Sequence, residues 1–197
     1  MFSIATRHLK AALHCASKAD IRYYLNGVLV EAAGEKDVRL VATDGHIMFC
    51  GKAAIQDVSG PVGFSPIIIP RETVEAVVKG KAGMVEFKDM GDGKYVLGNQ
   101  IFAPVDGKFP EWRRVVPQAA DGSAACYDPA LLARAHKAMG TWASDKVKMP
   151  GKTHLVPNGQ GAGVLMNDVC SAFVVLMPIR PTTIDTKPPA IPQHVLQ

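Results

Sequence analysis

The 197-residue sequence contains no run of apolar residues near the ~20 that a membrane-spanning helix requires. Its first residues are polar and amphipathic, without the charged and then apolar pattern of a secretion signal, so we expect no secretion. Cysteine is scarce and scattered, with no Cys-x-x-Cys pair and no histidine at ligand spacing: Cys15, Cys50, Cys126 and Cys170. This pattern disfavours a disulfide framework or a zinc site and favours a reducing, cytoplasmic location.

Motifs of the common enzyme classes are also missing. The sequence has no Gly-x-Ser-x-Gly, no His-Glu-x-x-His and no phosphate-binding glycine loop. Residues 43–46, Thr-Asp-Gly-His, bring an acid and a histidine together, but a catalytic pair would need a third group to orient it. Asp-Gly is typical of a turn between strands, which is the interpretation that we favour. We therefore expect no catalysis, no cofactor and no metal; loss of turnover in His46→Ala would indicate an enzyme instead.

Charge of one sign is only mildly in excess, with a formal net charge of +4 and a pI near 8.9. Proteins that grip DNA tightly neutralise about 6–10 phosphates by direct contact, so this excess fits a weak or sliding contact better. No aromatic residues alternate with the basic ones, and stacking on single-stranded bases is not indicated. With 48% apolar residues, the chain can bury a core in one or two domains.

What the sequence does contain is one pattern of elements repeated three times. Each unit of roughly 55 residues reads as strand, helix, strand, strand, strand. The predicted helices begin at Thr6, where Thr6 is the expected N-cap and the helix runs to about residue 17, at Pro70 and Arg71, and at Asp128 and Pro129. The predicted strands are residues 2–4, 23–32, 38–43 and 47–50 in unit one, residues 66–69, 84–88, 94–98 and 101–105 in unit two, and residues 124–127, 153–156, 163–166 and 172–178 in unit three.

These units predict an α+β fold with helices on one face of antiparallel sheets. Asp92-Gly93 is a strong signal for a hairpin turn, and the predicted strands 153–156 and 163–166 flank Asn158-Gly159. Two units suffice for one domain, so three units make one and a half. After residue 180, several prolines exclude a helix and predict a tail that is either extended over the surface or disordered.

Opposite its apolar stripe, each predicted helix carries basic residues. The first helix has Arg7, Lys10, His14 and Lys18 at spacings of three to four, and the third has Arg134 and Lys137. The second is weaker, because Glu72 and Glu75 accompany its basic residues Arg71, Lys79 and Lys81. Such stripes are typical of a phosphate-facing surface, although ordinary solvated helix faces look the same.

Four segments of the sequence together closely resemble the bacterial sliding clamp, the beta subunit of DNA polymerase III. They occur in the family's order and spacing: residues 22–29 (RYYLNGVL), 41–46 (VATDGH), 109–115 (FPEWRRV) and 175–180 (VLMPIR). The resemblance implies a DNA-clamp fold, in which six similar two-unit domains close into a ring around duplex DNA. It implies a non-catalytic replication processivity factor, retained by topology rather than by tight contact.

The resemblance also implies which residues meet the partners. Helices line the hole of such a ring, so the expected DNA-facing residues are Arg7, Lys10, Lys18, Lys79, Arg134 and Lys137. A hydrophobic cleft between the central and C-terminal domains binds short peptides of polymerases and repair proteins. The residues that match this cleft are Leu25, Thr43, Gly45, His46, Met48, Pro110, Val115, Val175, Met177, Pro178, Ile179 and Arg180. Ile47 departs from the family's usual basic residue, so we expect a different partner preference. A clamp loader is a further expected partner, and a membrane is not.

Compared with the family, the chain looks incomplete in an unusual way. Residues 1–117 look like the complete central domain, residues 118–181 like the last half of the C-terminal domain, and residues 182–197 form the proline-rich tail. A half domain leaves a sheet edge uncovered, and pairing of two half domains across a two-fold axis would cover it. Four chains then supply twelve units, the number in the family's ring. We expect a homotetramer, with a trimer as the nearest rival.

Two other hypotheses stay open at this point. One is a phage- or plasmid-type clamp mimic, which binds clamp-interacting peptides without encircling DNA. The other concerns residues 193–197, QHVLQ, which resemble a clamp-binding peptide without its terminal aromatic residue and would occupy the cleft of the chain itself.

Overall fold

The structure is a computed structural model that describes residues 1–58, 64–80, 82–143, 153–167 and 171–179. Within these residues the chain forms three helices and eleven strands. Unit one contains β1 (Phe2–Ala5), α1 (Thr6–Leu13), β2 (Gly27–Ala32), β3 (Asp37–Thr43) and β4 (Ile47–Ala54). Unit two contains β5 (Ile67–Pro70), α2 (Arg71–Val78), β6 (Met84–Gly91), β7 (Lys94–Leu97) and β8 (Gln100–Phe102). Unit three contains α3 (Pro129–Ala143), β9 (Thr153–Val156), β10 (Gly163–Asn167) and β11 (Ala172–Leu176).

The predicted hairpin turn between β6 and β7 is confirmed. Asp92 and Gly93 have φ values of 52° and 73°, the left-handed conformation that both central residues of a type I′ turn require. This turn twists in the same sense as the strands that it joins and places Gly91 opposite Lys94; the register then shifts between Asp89 and Gly91.

The strands form two antiparallel sheets. One has the order β1-β6-β7-β8, and the other has the order β5-β2-β3-β4-β11-β10-β9. The first strand of each complete unit therefore joins the sheet of the other unit, β1 beside β6 and β5 beside β2. Units one and three meet where β4 pairs with β11, from Ile47 opposite Leu176 to Gly51 opposite Ala172. A continuous sheet thus crosses the boundary between the units.

The three helices lie side by side in the order α2, α1, α3, because α1 contacts both of the others. Together they cover one face of the sheets, and the main core lies between, with Leu9, Phe49, Leu97, Met139 and Leu165 fully buried. None of the helices in the described ranges is long and apolar enough to cross a membrane. The layered α+β architecture with helices on one face of antiparallel sheets is the predicted one.

A close approach fixes α3 over the junction of units one and three. A Cβ atom at Gly51 would lie 2.6 Å from the Trp142 ring, so only glycine leaves room for the indole there. Trp142 also packs against Phe49, with 5.3 Å between ring centroids. The absence of a side chain on β4 and the large indole on α3 together let the third unit dock against the first.

Some local predictions were wrong. Thr6 does not cap α1: the cap residue is Ala5, and the Thr6 hydroxyl donates to the carbonyl of Gly83 across the domain. The α1 helix ends at Leu13 rather than near residue 17, and residues 23–25 form a short 3-10 turn instead of extending β2. Residues 124–127 are not a strand, because no neighbouring strand among the described residues pairs with them. The proline-rich tail lies outside the described residues.

Candidate functional site

A cavity of about 190 Å³ opens on the face of the seven-stranded sheet that the helices do not cover. Its floor is formed by Met48 on β4 and Val175 on β11, which lie opposite each other in the register of these two strands. Beyond β11 the pairing continues, since the Met177 amide donates to the carbonyl of His46 at 2.9 Å. The floor of the cavity therefore exists only because unit three joins unit one.

The structure brings nine of the twelve predicted cleft residues to this cavity: Leu25, Thr43, Gly45, His46, Met48, Pro110, Val115, Val175 and Met177. Pro178 and Ile179 do not line it, and Arg180 lies outside the described residues. Four further lining residues were missed from the sequence: Arg22, Tyr24, Ile47 and Trp112. Arg22, Tyr24 and Trp112 belong to the segments that carried the resemblance. Their position next to predicted cleft residues in the sequence was the signal that could have identified them.

One wall of the cavity is the turn between β3 and β4. The Asp44 carboxylate accepts from the amides of His46 and Ile47 at 2.8 and 3.1 Å, and Gly45 adopts a φ of 97°. The second Asp44 oxygen accepts from Arg134 of α3 at 2.6 Å. Because both oxygens already hold structural bonds, the turn interpretation is favoured over a catalytic pair of Asp44 and His46.

A second wall is the segment around Trp112, which is pinned to the sheet by charges. Glu31 on β2 accepts from Arg39 at 2.8 Å and from Arg113 at 2.6 Å, and the Arg113 guanidinium lies 4.2 Å from the Trp112 ring centroid. Burial opposes ionisation of Glu31, but the two arginines hold its pKa below the ordinary value. This network holds the Trp112 ring, which lines the cavity, against the sheet through residues that do not line it.

The mouth of the cavity combines exposed apolar side chains with one fixed charge. Val115 is 48% exposed and Met177 is 39% exposed, although both are hydrophobic. Arg22 stands beside Gly45, where a Cβ atom would lie 3.1 Å from its guanidinium, and Asp20 holds it through hydrogen bonds of 2.7 and 3.0 Å. An apolar pocket with a few oriented polar groups at its edge is suited to a short peptide.

The six predicted DNA-facing residues divide into two groups. Lys10, Lys18, Lys79 and Lys137 are exposed on or just after the helices. Arg7 is only partly exposed, and Arg134 is occupied: it pairs with Asp44 and donates to the carbonyl of His14 at 3.1 Å. Arg134 thus joins α3 to the end of α1 rather than pointing freely away.

The seam between α1 and α3 is a basic part of the helix layer. His14 lies there, 3.2 Å from the Thr141 hydroxyl. Burial first, and then the charges of Lys137, Lys10, Arg134 and Arg71, lower the pKa of His14 to about 4. A neutral histidine surrounded by four cations indicates a concentration of positive charge at this seam.

Among the described residues, no group of three or more histidine, cysteine or acidic side chains is arranged to hold a metal ion. Cys15 and Cys50 are buried, and burial raises the pKa of each thiol to about 12, whereas Cys126 is exposed. The observed chemistry is thus that of an apolar cavity on one face of the protein and a basic helix layer on the other.

Comparisons with known proteins all point to the same family. Residues 5–111 match the family described as the central domain of the DNA polymerase III beta subunit. The beta sliding clamp of Escherichia coli is 35% identical over 129 residues, which cover 58% of this chain and 32% of that protein. The clamp of Caulobacter vibrioides is 29% identical over 168 residues, covering 78% of this chain and 44% of that protein.

The fold is also shared with solved structures. A DNA polymerase sliding clamp from Pseudomonas aeruginosa superimposes with a TM-score of 0.64 at 20% identity, over 91% of this chain and 66% of that one. The chain spans about a third to less than half of the length of the two curated relatives described above.

Proposed function

Since the chain belongs to the DNA polymerase III beta-subunit family, we propose that it is a replication processivity factor that encircles duplex DNA and docks polymerase or repair proteins. In this proposal, residues 1–117 are a complete clamp domain, residues 118–181 are half of another, and residues 182–197 are a tail. The chains assemble as a homo-oligomer, with a tetramer favoured, and a clamp loader opens the ring. The protein itself acts as a non-catalytic accessory subunit.

The cavity at the β4–β11 junction carries the docking part of this proposal. At about 190 Å³ it is smaller than typical pockets for drug-sized ligands, and it fits one or two apolar side chains of a peptide. Met177 and Val115, exposed at its mouth, gain burial when such a peptide binds. Thr43, His46 and Arg22 stand at the edge, where they can meet the peptide backbone or a carboxylate.

The helix layer carries the DNA part. Lys10 and Lys137 are exposed on α1 and α3, and the charge of each lowers the pKa of His14 between them. The two lysines therefore present positive charge from two adjacent helices. Only four of the predicted DNA-facing residues are exposed lysines, and together with a net charge of +4 they favour a loose contact with phosphates. Such a contact suits a ring that must move along DNA while topology prevents its loss.

Peptide docking is tested by fluorescence anisotropy with a labelled pentapeptide, Gln-His-Val-Leu-Phe. This probe is the chain's own residues 193–197 with phenylalanine at the last position, which supplies the missing aromatic side chain. Met177→Ser removes apolar surface at the mouth and should weaken binding about tenfold, equivalent to about 1.4 kcal/mol.

The matched control is Ile101→Ser on β8, because Ile101 is also an exposed hydrophobic residue, at 66%, but does not line the cavity. It should leave the peptide affinity unchanged. Equal effects of the two substitutions, or no binding by the native chain with and without its residues 180–197, would contradict the docking proposal.

DNA contact is tested with the paired substitution of Lys10 and Lys137 by alanine. The slope of log affinity for duplex DNA against log salt concentration should fall by about 2, one for each lost phosphate contact. The control replaces Lys88 and Lys94, which are exposed on the face of the four-stranded sheet away from the core, and should leave the slope unchanged.

Encirclement is tested by retention on DNA. A ring loaded on nicked circular duplex should remain bound at high salt and should leave when the DNA is cut. If the protein binds the peptide but is not retained on circular DNA, the clamp-mimic hypothesis replaces encirclement.

A further inference from the structure

Each of the three units is closed by the same type of backbone hydrogen bond. In unit one, Ser3 of β1 exchanges hydrogen bonds of 2.7 and 2.9 Å with Gln56, just after β4. In unit two, the Val105 amide, just after β8, donates to the carbonyl of Ile68 in β5 at 2.9 Å. The segment before each helix is thus tied to the chain that follows the last strand of its own unit.

Unit three has the same type of hydrogen bond, although the segment before its helix does not form a strand. The Ile179 amide, just after β11, donates to the carbonyl of Cys126 at 2.8 Å. Cys126 therefore occupies in unit three the position of Ser3 in unit one and of Ile68 in unit two. Residues 124–127 are placed as a first strand, even though they do not form one.

In the complete pair of units, these first strands are exchanged. Ser3 lies opposite Glu86 of β6, and Ile68 lies opposite Leu29 of β2. Each unit gives its first strand to the other and receives one on the outer edge of its own second strand. Residues 124–127 have no such partner strand among the described residues, and β9, the second strand of unit three, ends the seven-stranded sheet.

We propose that a second copy of this chain completes unit three by the same exchange. Residues 124–127 of one copy pair antiparallel with β9 of the other, and the two-fold symmetry makes the reverse pair at once. Among the described residues, β9 ends its sheet and residues 124–127 pair with no strand, and an isologous contact of this kind joins the two. The inference deepens the proposed ring, because two-fold pairs of half domains give even numbers of chains.

The internal repeat also fixes the register. Leu155 of β9 lies opposite the core residue Leu165, as Val30 lies opposite Leu40 in unit one. His154 of β9 thus corresponds to Leu29, the residue that faces Ile68. In the exchanged pair, Cys126 of one copy therefore faces His154 of the partner subunit.

The free side of α3 suits this approach. The side chains that face away from α1, toward β9, are small or compact: Pro129, Ala133, His136 and Gly140 follow one another at helical spacing. His136 lies 3.4 Å from the Thr153 hydroxyl at the start of β9, which places this flank at the open edge. Small residues allow the α3 helices of two copies to approach closely, as α1 and α2 contact each other within the complete pair.

The test is a disulfide between His154→Cys and the native Cys126. Because the Cys126 carbonyl bonds within its own unit, the pair across the interface is a non-hydrogen-bonded one, in which side chains are closest and a disulfide can form. Mild oxidation of the full chain should give a covalent dimer of twice 21.0 kDa on a non-reducing gel. Both residues are exposed, and the far-UV circular dichroism spectrum of reduced His154→Cys checks that the substitution keeps the fold.

Two controls define the result. Cys126→Ser in the His154→Cys background should abolish the dimer, and Met166→Cys, exposed on β10 one strand further from the edge, should not form it. A monomeric product from His154→Cys would overturn the proposal. If deletion of residues 180–197 then allowed the crosslink, the tail of the same chain would be the native occupant of the edge instead. The gel involves neither DNA nor peptide, so its failure leaves the docking and encirclement tests intact.

Discussion

Units one and two are closed by exchange, whereas unit three is attached by extension. In the first pair, β1 and β5 cross over and each completes the other unit's sheet. Unit three instead adds its sheet to unit one through β4 and β11 and leaves β9 at the end. The comparison teaches that one repeated unit offers two kinds of joint: an exchanged joint that builds a domain, and an edge-to-edge joint that builds a cleft.

The helix contacts at the two joints also differ in the type of side chain at their centre. At the exchanged joint, Arg71 of α2 donates to the carbonyls of Ala16 and Ser17 at 3.0 Å each and pairs with Glu75. At the edge-to-edge joint, α3 packs against two partly buried histidines. His8 of α1 lies against Trp142, and His14, just after α1, lies beside Thr141. The first contact has a permanent charge as its centre, and the second has groups that titrate.

The largest effect is expected from Trp142→Ala at the edge-to-edge joint. Trp142 fills the space above Gly51, and its loss should lower the free energy of unfolding by about 3–5 kcal/mol, as for other buried large-to-Ala changes. Urea denaturation measures this, and Trp142→Phe, which keeps part of the ring, should lose less. A change below about 1 kcal/mol would contradict the role given to Trp142 in holding unit three.

The second-largest effect is expected from acid, which should lower the stability of the same joint. Burial, with Arg7 nearby, lowers the pKa of His8 to about 4, and His14 is lowered to about 4 by burial and four cations. The unfolded chain takes up these protons near pH 6.5 and the folded chain does not, so stability should fall as the pH drops from about 6.5 to about 4.

The check is denaturation at pH 7 and pH 5 for the native chain and for His8→Phe with His14→Gln. The double variant should lose less stability on acidification, whereas His136→Gln, an exposed histidine on α3, should behave like the native chain. An equal loss of stability on acidification in all three proteins would show that His8 and His14 are not its cause.

The smallest effect is expected at the start of α3. The Asp128 carboxylate accepts from the Ala130 amide at 2.7 Å, whereas α1 and α2 have no side-chain cap. Asp128→Ala should therefore cost about 1 kcal/mol, and Asp128→Asn, which keeps the acceptor, should cost less. Hydrogen exchange in the first turn of α3 gives the local readout, and unchanged exchange in Asp128→Ala would show that the cap is not needed.

The sequence predicted the order of elements well because that order depends on local signals. Asp128 and Pro129 start α3, and Asp92-Gly93 closes a hairpin, through chemistry contained in a few neighbouring residues. Nine of the twelve residues that the resemblance assigned to the cleft line the cavity, because the segments that carry the resemblance also form its walls. The family and the fold class are confirmed, while the cleft and DNA roles stay predictions.

What the sequence could not supply depends on contacts between distant residues. Thr6 looks like a cap, but its hydroxyl finds Gly83, 77 residues away. Residues 124–127 have the composition of a strand, yet a strand also needs an edge to pair with, and β9 lies elsewhere. Arg134 resembles a free basic residue until the fold brings Asp44 to it, 90 residues distant.

The most direct test of the account is the solution mass of the native chain, measured by light scattering across a concentration series. Completion of unit three by a second copy predicts an even multiple of 21.0 kDa, with four copies, about 84 kDa, for a closed ring. A mass near 21 kDa at micromolar concentration, or a trimer near 63 kDa, would contradict it, because neither leaves every half domain paired.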